Sequence, residues 1–257
     1  MSGIIAGQCD RFTSMLPIRD INPTAIRPLL TGVIVAVNVT VFIFVQPQSG
    51  PEFDEFAYRN AAIACELTTG EPLAPQEIRT GVCTDAPGPG FAFPEKNLPA
   101  SVLFSMFLHA GFAHILFNMW SFWIFGNNVE EAFGHLGFAV IYLLSGTAAT
   151  VGFVAFNPNL TVPLVGASGA IAGVMGAYLV LFPRHQVMTL IFIRIVAIPA
   201  MFFLAIWFFS QFLFTDGDVA WEAHVAGFAF GALATIPFRN RLLRNTSSGA
   251  VKPIRGY

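Results

Sequence analysis

Charge is what this chain has least of. Only 11% of its 257 residues are Asp, Glu, Lys or Arg, against 55% hydrophobic, where a soluble globular chain carries about 25% charged residues. So few charges cannot coat a water-soluble domain of this size, which leaves a helical membrane protein. A net charge of −2 and the lack of an arginine-rich tract give no footing for a nucleic-acid partner. Three cysteines make no disulfide framework. Residues 1–16 hold no sustained apolar run, so no cleavable secretory signal is expected, and Asp10 and Asp20 argue against a mitochondrial presequence. A zincin is excluded because His109 is followed by alanine, not glutamate. No apolar stretch holds a pair of acids for an aspartyl dyad. Ala170 breaks the last position of a Gly-x-Ser-x-Gly elbow around Ser168.

What the chain has is apolar stretches of spanning length. A bilayer helix needs about 20 mainly apolar residues. Six stretches qualify or nearly do: 29–45, 103–125, 137–156, 167–182, 187–214 and 219–238. The expected fold is all-α, a polytopic bundle of six transmembrane helices over 29–238. A tail precedes it at 1–28 and a basic tail follows at 239–257. The long first loop, 46–99, is rich in proline, glycine and acids, yet 52–67 suits a surface helix. Arg11, Arg19 and Arg27 lie in the first tail. Arg239, Arg241, Arg244, Lys252 and Arg255 lie in the second, and Arg184 follows span four. An even number of spans puts all of them on one side, which the positive-inside rule makes cytoplasmic. The membrane expected is the plasma (inner) membrane. Cys9 lies in the first tail. Cys65 and Cys83 share the outer loop, paired if that compartment is oxidising and free if not.

Span four is short. From Ser168 to Phe182, with Pro183 ending it, a helix rises only about 22 Å against a hydrocarbon core of about 30 Å. Its start is expected below the outer surface, with residues 157–166 dipping inward, which is tolerated where protein buries that backbone or a watery cavity hydrates it.

Polar side chains inside spans are costly and therefore informative. Span two carries His109, then His114 and Asn118 at i, i+4 on one helical face. Ser168 opens span four between Gly166 and Gly169, and His224 lies in span six. A serine hydroxyl needs a base to become a nucleophile, and histidine suits that near neutral pH. A helix start offers free N–H groups to an oxyanion, and His114 and Asn118 offer side-chain donors. His224, Gly227 and Gly231 share one face of span six, and span four answers with Gly169, Gly173 and Gly176. Small residues let helix backbones approach closely in lipid. Each feature has an ordinary reading too: membrane glycines and serines are usually packing residues, and a membrane histidine is often a helix contact. His135 and His185 are read as solvated. The aromatics of span five, Phe202, Phe203, Trp207, Phe208, Phe209 and Phe212, read first as lipid-facing, with a bend available at Pro199.

Taken together, His109-Ala-Gly-Phe-Ala-His114-Ile-Leu-Phe-Asn118, then Gly166-Ala-Ser168-Gly169, then Ala223-His224-x-x-Gly227-x-x-x-Gly231 resembles the rhomboid family of intramembrane proteases, in the family's order. The resemblance covers roughly 29–238. It implies Ser168 as nucleophile and His224 as general base. It also implies oxyanion stabilisation by the Ser168 N–H with His114 and Asn118, and support from His109, Gly166 and Gly169. It implies single-span membrane proteins as substrates, cut near small residues, and neither metal nor organic cofactor. It suggests that span five and the loop after it control lateral access. In two places the chain departs from the family. Ala172 stands where some rhomboids carry a tyrosine packed on the catalytic histidine, and no Trp-Arg pair occurs in the first loop, Tyr58-Arg59 being nearest. The competing expectations are a non-catalytic rhomboid-like protein that retains or escorts membrane clients, and a small channel or transporter.

Overall fold

Every long apolar stretch needs its backbone hydrogen bonds met internally, and in this chain helices supply most of them. The computed structural model describes residues 15–84, 90–213 and 219–246. Cys9, Arg11, Phe214, Lys252 and Arg255 lie outside the described residues. The order is β1 (Met15–Asp20), α1 (Leu29–Phe44), α2 (Gly50–Asn60), β2 (Ala62–Ile63), α3 (Ala64–Thr69), α4 (Pro75–Thr80), α5 (Leu98–Ser105), α6 (Phe112–Phe156), β3 (Pro163–Leu164), α7 (Ser168–Leu181), β4 (Gln186–Ile191), β5 (Arg194–Pro199), α8 (Ala200–Leu213), α9 (Trp221–Thr235) and α10 (Arg239–Leu243).

By length and composition, one helical run among the described residues is long and apolar enough to cross a membrane, Phe112–Phe156. It is two arms in fact. Gly134 takes φ 70° and ψ 165°, which breaks the helix. The run folds back there, so that Phe122 packs on Phe138 and Tyr142. The helices α1, α7 and α8 are apolar but shorter, at 16, 14 and 14 residues.

Two expected spans are drawn differently. The stretch 103–125 is not one helix: α5 stops at Ser105, the chain runs without regular helix through His109, and α6 begins at Phe112. Gly111, with φ 173° and ψ 174°, precedes the restart. The stretch 187–214 is helical only from Ala200. Its first part is a β-hairpin, with Gln186 opposite Pro199 and Ile191 opposite Arg194. Val187, Thr189 and Ile191 alternate with Met188 and Leu190, and β-branched residues at a period of two fit a pleated ribbon. The hairpin takes β1 as a third strand, Met15 facing Ile191 and Asp20 facing Val187. Two small sheets among the described residues therefore qualify the all-α expectation.

The first loop, 46–99, is helical in pieces. Phe53 and Ala57 turn inward from α2, and Cys65 and Cys83 form a disulfide that closes α3 and α4 into one knot. A buried Lys96 Nζ lies 2.5 Å from Glu66 Oε2 in the same subdomain.

Several polar contacts gather at one end of the bundle. The Glu130 carboxylate accepts the N–H groups of Leu30 and Thr31 and the Thr31 hydroxyl, so it caps α1 from a neighbouring helix. Glu131 accepts the Ala25 N–H, and Trp120 Nε1 donates to the Pro17 carbonyl. Tyr178 and Asn128 both donate to Asp20 Oδ2. Arg239 donates to the Val180 carbonyl. The described parts of both tails therefore meet the same end of the helices.

Candidate active site

The seam between α7 and α9 is made by backbone. A Cβ added to Gly227 would stand 2.1 Å from the Gly169 carbonyl oxygen, and one on Gly231 would stand 1.9 Å from that of Gly173. Only hydrogens fit there, which is how small residues draw two helices together in lipid. The same packing sets the depth of α7. Gly169 lies against Ala149, seven residues before the end of α6 at Phe156. Seven residues of helix rise about 10 Å. Ser168 therefore starts its helix about two turns below the neighbouring helix end.

Several backbone groups of the link that reaches this depth, 157–167, are met by protein. Leu160 accepts the Cys65 N–H, β3 pairs with β2, and the Gly166 N–H donates to the Ser105 carbonyl. Ser105 Oγ accepts the Ala62 N–H and so joins the outer subdomain to the same point. At the upper end, Asn157 donates to Glu222 of α9.

Ser168 Oγ and His224 Nε2 stand 2.8 Å apart. Both residues retain some exposure. The tautomer of His224 follows from its other nitrogen. Nδ1 faces Gln211 Oε1 at 2.8 Å. The Gln211 amide is held the right way round because its Nε2 donates to the Trp207 carbonyl at 3.1 Å. An amide oxygen only accepts, so the imidazole proton sits on Nδ1 and the Nε2 lone pair faces the serine hydroxyl. The Trp207 ring also leans on the imidazole, centroids 6.1 Å apart. Both of these contacts on the imidazole come from α8, while Ala172 of α7 is fully buried and presents no ring.

His114 stands across Gly166 from the serine. A Cβ on Gly166 would lie 2.9 Å from both Cε1 and Nε2 of His114 and 3.5 Å from Ser168 Oγ, and Gly166 takes φ +129°, a backbone position suited to glycine. His114 Nδ1 accepts the Ala110 N–H at 3.4 Å, which puts its proton on Nε2, the nitrogen beside Gly166. Asn118 Nδ2 donates to the His114 carbonyl at 3.0 Å, leaving one amide hydrogen for another partner. No side chain caps α7, since Ala167 is its N-cap, and its first amides have no acceptor within the helix.

His109 lies outside the helix that was expected to carry it. It is fully buried, its backbone exchanges two hydrogen bonds with the Gln46 side chain, and its ring meets the edge of His114 at 5.2 Å. Two readings change. The span-five aromatics are not all outward: Phe202, Phe209 and Phe212 are exposed, but Phe203 is buried, and Trp207 and Phe208 pack on Phe228. His135 is paired with Glu130, not merely solvated. Gln211 escaped the sequence reading. A glutamine within an aromatic helix was the available signal, since a polar side chain at that depth needs a partner.

Such an arrangement can move a proton from a hydroxyl to an imidazole while donors stand ready for a new negative charge. Residues 98–241 match the family model described as Rhomboid domain. The Rhomboid protease GluP of Bacillus subtilis is 42% identical over 72 residues, 28% of this chain and 14% of that protein. Rhomboid protein 1, mitochondrial, of Saccharomyces cerevisiae is 30% identical over 143 residues, 52% of this chain and 40% of that one. The Inactive RHOMBOID-like protein 8 of Arabidopsis thaliana is 37% identical over 78 residues, 30% and 22% respectively. The matched stretches cover less than half the length of each of these relatives.

Proposed function

The chain belongs to the rhomboid family, and on that premise we propose that it is an intramembrane serine endopeptidase with a Ser168–His224 dyad. The observation that carries the reading is the 2.8 Å approach of Ser168 Oγ to a His224 Nε2 whose lone pair faces it.

Ser168 Oγ attacks the carbonyl carbon of the scissile peptide bond, and His224 Nε2 takes the hydroxyl proton. The carbonyl oxygen becomes an oxyanion, stabilised by the Ser168 N–H, His114 Nε2–H and the remaining Asn118 amide hydrogen. Collapse breaks the C–N bond, and the leaving amine takes the proton from His224. Water then attacks the acyl-enzyme carbonyl while His224 accepts its proton. The ester bond breaks, Ser168 regains its hydrogen, and a carboxylic acid leaves. The scheme uses no metal and no organic cofactor.

The family is membrane-embedded, and the chain is read as six crossings: α1, the two arms of α6, α7, α8 and α9. An even number returns the second tail to the side of the first. Arg194, at the hairpin turn between α7 and α8, joins the basic residues of that side. Both termini are placed in the cytoplasm, the membrane is the plasma membrane, and the substrates are single-span membrane proteins cut near small residues. The test is cleavage of a panel of single-span proteins by the purified protein in liposomes. Ser168→Ala is expected to abolish cleavage while leaving the thermal melt intact. Cleavage by Ser168→Ala at the wild-type rate would end the mechanism.

A relative named as inactive gives a second reading its footing, a non-catalytic protein that retains or escorts membrane clients. Labelling by a fluorophosphonate, lost on His224→Ala, separates the two. No labelling of the wild-type protein favours the escort.

A further inference from the structure

We propose that Gln211 is the positioning residue of this dyad, so that His224 is a competent base only while α8 is seated against α9. The inference rests on the Ser168–His224 reading above and adds a third residue to it.

A serine–histidine pair needs its imidazole in one tautomer and one orientation. Serine hydrolases commonly obtain both from a carboxylate behind the ring. Among the described residues no carboxylate hydrogen-bonds His224. Its neighbours are Ser168 from α7, Gln211 and Trp207 from α8, and His114 beyond Gly166. Glu222, on its own helix, is engaged by Asn157. The acceptor for Nδ1–H is thus the Gln211 amide oxygen. Gln211 is only 7% exposed, so no bulk water competes for that bond. Its own orientation is set by Nε2 donating to the Trp207 carbonyl one turn back, and Ser210 Oγ donates to the same carbonyl. Position 211 therefore presents an oxygen, not an amide N–H, to the ring. The alternative amide orientation would put two donors face to face or force the proton onto Nε2, where the nitrogen could no longer accept from serine.

The helix that carries this oxygen is held differently from the others. Where α7 meets α9 through glycine backbone, α8 meets α9 through rings: Trp207 and Phe208 on Phe228, and Phe212 on Trp221. Among the described residues no glycine seam of that kind joins α8 to α9. An outward displacement of α8 by little more than 1 Å would carry the 2.8 Å bond past hydrogen-bonding range and release the ring to rotate.

The experiment compares Gln211→Leu, Gln211→Glu and Ser168→Ala in liposomes with a fluorogenic single-span substrate, reading kcat, KM, thermal melt and the pH profile of kcat/KM. Leucine has a similar volume and no acceptor. Gln211→Leu is expected to lower kcat roughly 10–100-fold with KM within about twofold and the melt unchanged. Gln211→Glu is expected to restore much of kcat and to move the acidic limb of the profile upward by about a unit or more, since an anion there favours the imidazolium. A merely structural residue would move neither the limb nor kcat selectively. Wild-type kcat and profile in Gln211→Leu would overturn the proposal. So would loss of activity that tracks a lowered melt, with no shift of the limb in Gln211→Glu. If Ser168→Ala itself cleaves, the fault lies in the dyad reading instead.

Discussion

A single methyl group at Gly227 tests whether the glycine seam sets the chemistry. Its Cβ would fall 2.1 Å from the Gly169 carbonyl oxygen, where real Cβ contacts stay beyond 3.0 Å. That oxygen belongs to the α7 backbone and cannot rotate aside, so the helices must part by about 1 Å to restore ordinary contact. The wedge sits under the site: Gly169 adjoins Ser168, and Gly227 is three residues from His224, about 4.5 Å along the helix. Most of the separation is therefore passed to the 2.8 Å bond between Ser168 and His224, which lengthens toward the limit of a hydrogen bond. Misplacement by 1 Å costs about 10² in rate, and overpacking costs about 1–3 kcal/mol of stability. Gly227→Ala should fold, melt lower and lose about a hundredfold in kcat, measured on a single-span substrate in liposomes beside fluorophosphonate labelling. Gly32→Ala is the control, because nothing lies within 4 Å of its would-be Cβ and a helical Gly→Ala gains about 0.5–1 kcal/mol. A Gly227→Ala protein with kcat within twofold of wild type and an unchanged melt would refute the reasoning.

Three other predictions concern separate parts of the molecule. Asn118→Ala should lower kcat by about 10²–10³, less where His114 Nε2–H makes up the loss, and leave KM nearly fixed; kinetics showing less than a twofold change would remove Asn118 from the oxyanion site. Cys65 and Cys83 are 18 residues apart in sequence, so reduction or a double serine variant should cost about 3 kcal/mol and several degrees of melting temperature. An identical melt under reductant would contradict that. Burial raises the Asp20 carboxyl to about 6, against donation from Tyr178 that pulls it down. Because the folded state holds this proton more tightly than the unfolded chain, no penalty exists below about pH 4. It grows as pH rises through 6 and is then complete, at most about 3 kcal/mol before screening. Asp20→Asn should therefore melt higher than wild type at pH 8 and equally at pH 4, and the opposite order would reject the assignment.

What could be read beforehand followed from single-chain periodicity and spacing. The helices carrying Ser168, Asn118 and His224 were legible because apolar length marks a helix and a polar residue within one needs a reason. The short span four was legible from Pro183 and helix rise alone. Residues 186–199 were misread because a hydropathy window averages apolarity and does not distinguish a period of two from one of 3.6. The break at 106–111 was hidden as well, since Met106, Phe107 and Leu108 are as apolar as helix, and what fixes His109 there is Gln46, 63 residues away. Gln211 was legible only as a polar residue in an aromatic helix: the group it meets is on a different helix, and nothing local names that partner.

The strand at Met15–Asp20 has a consequence for how the protein is made. Its partner lies more than 160 residues downstream, so the ribosome must deliver most of the chain before the first strand can find its place. The leading segment waits, and its docking becomes one of the final steps of assembly. A bulky fusion just ahead of Met15 would burden that late closure, whereas the helices already inserted would have settled without it.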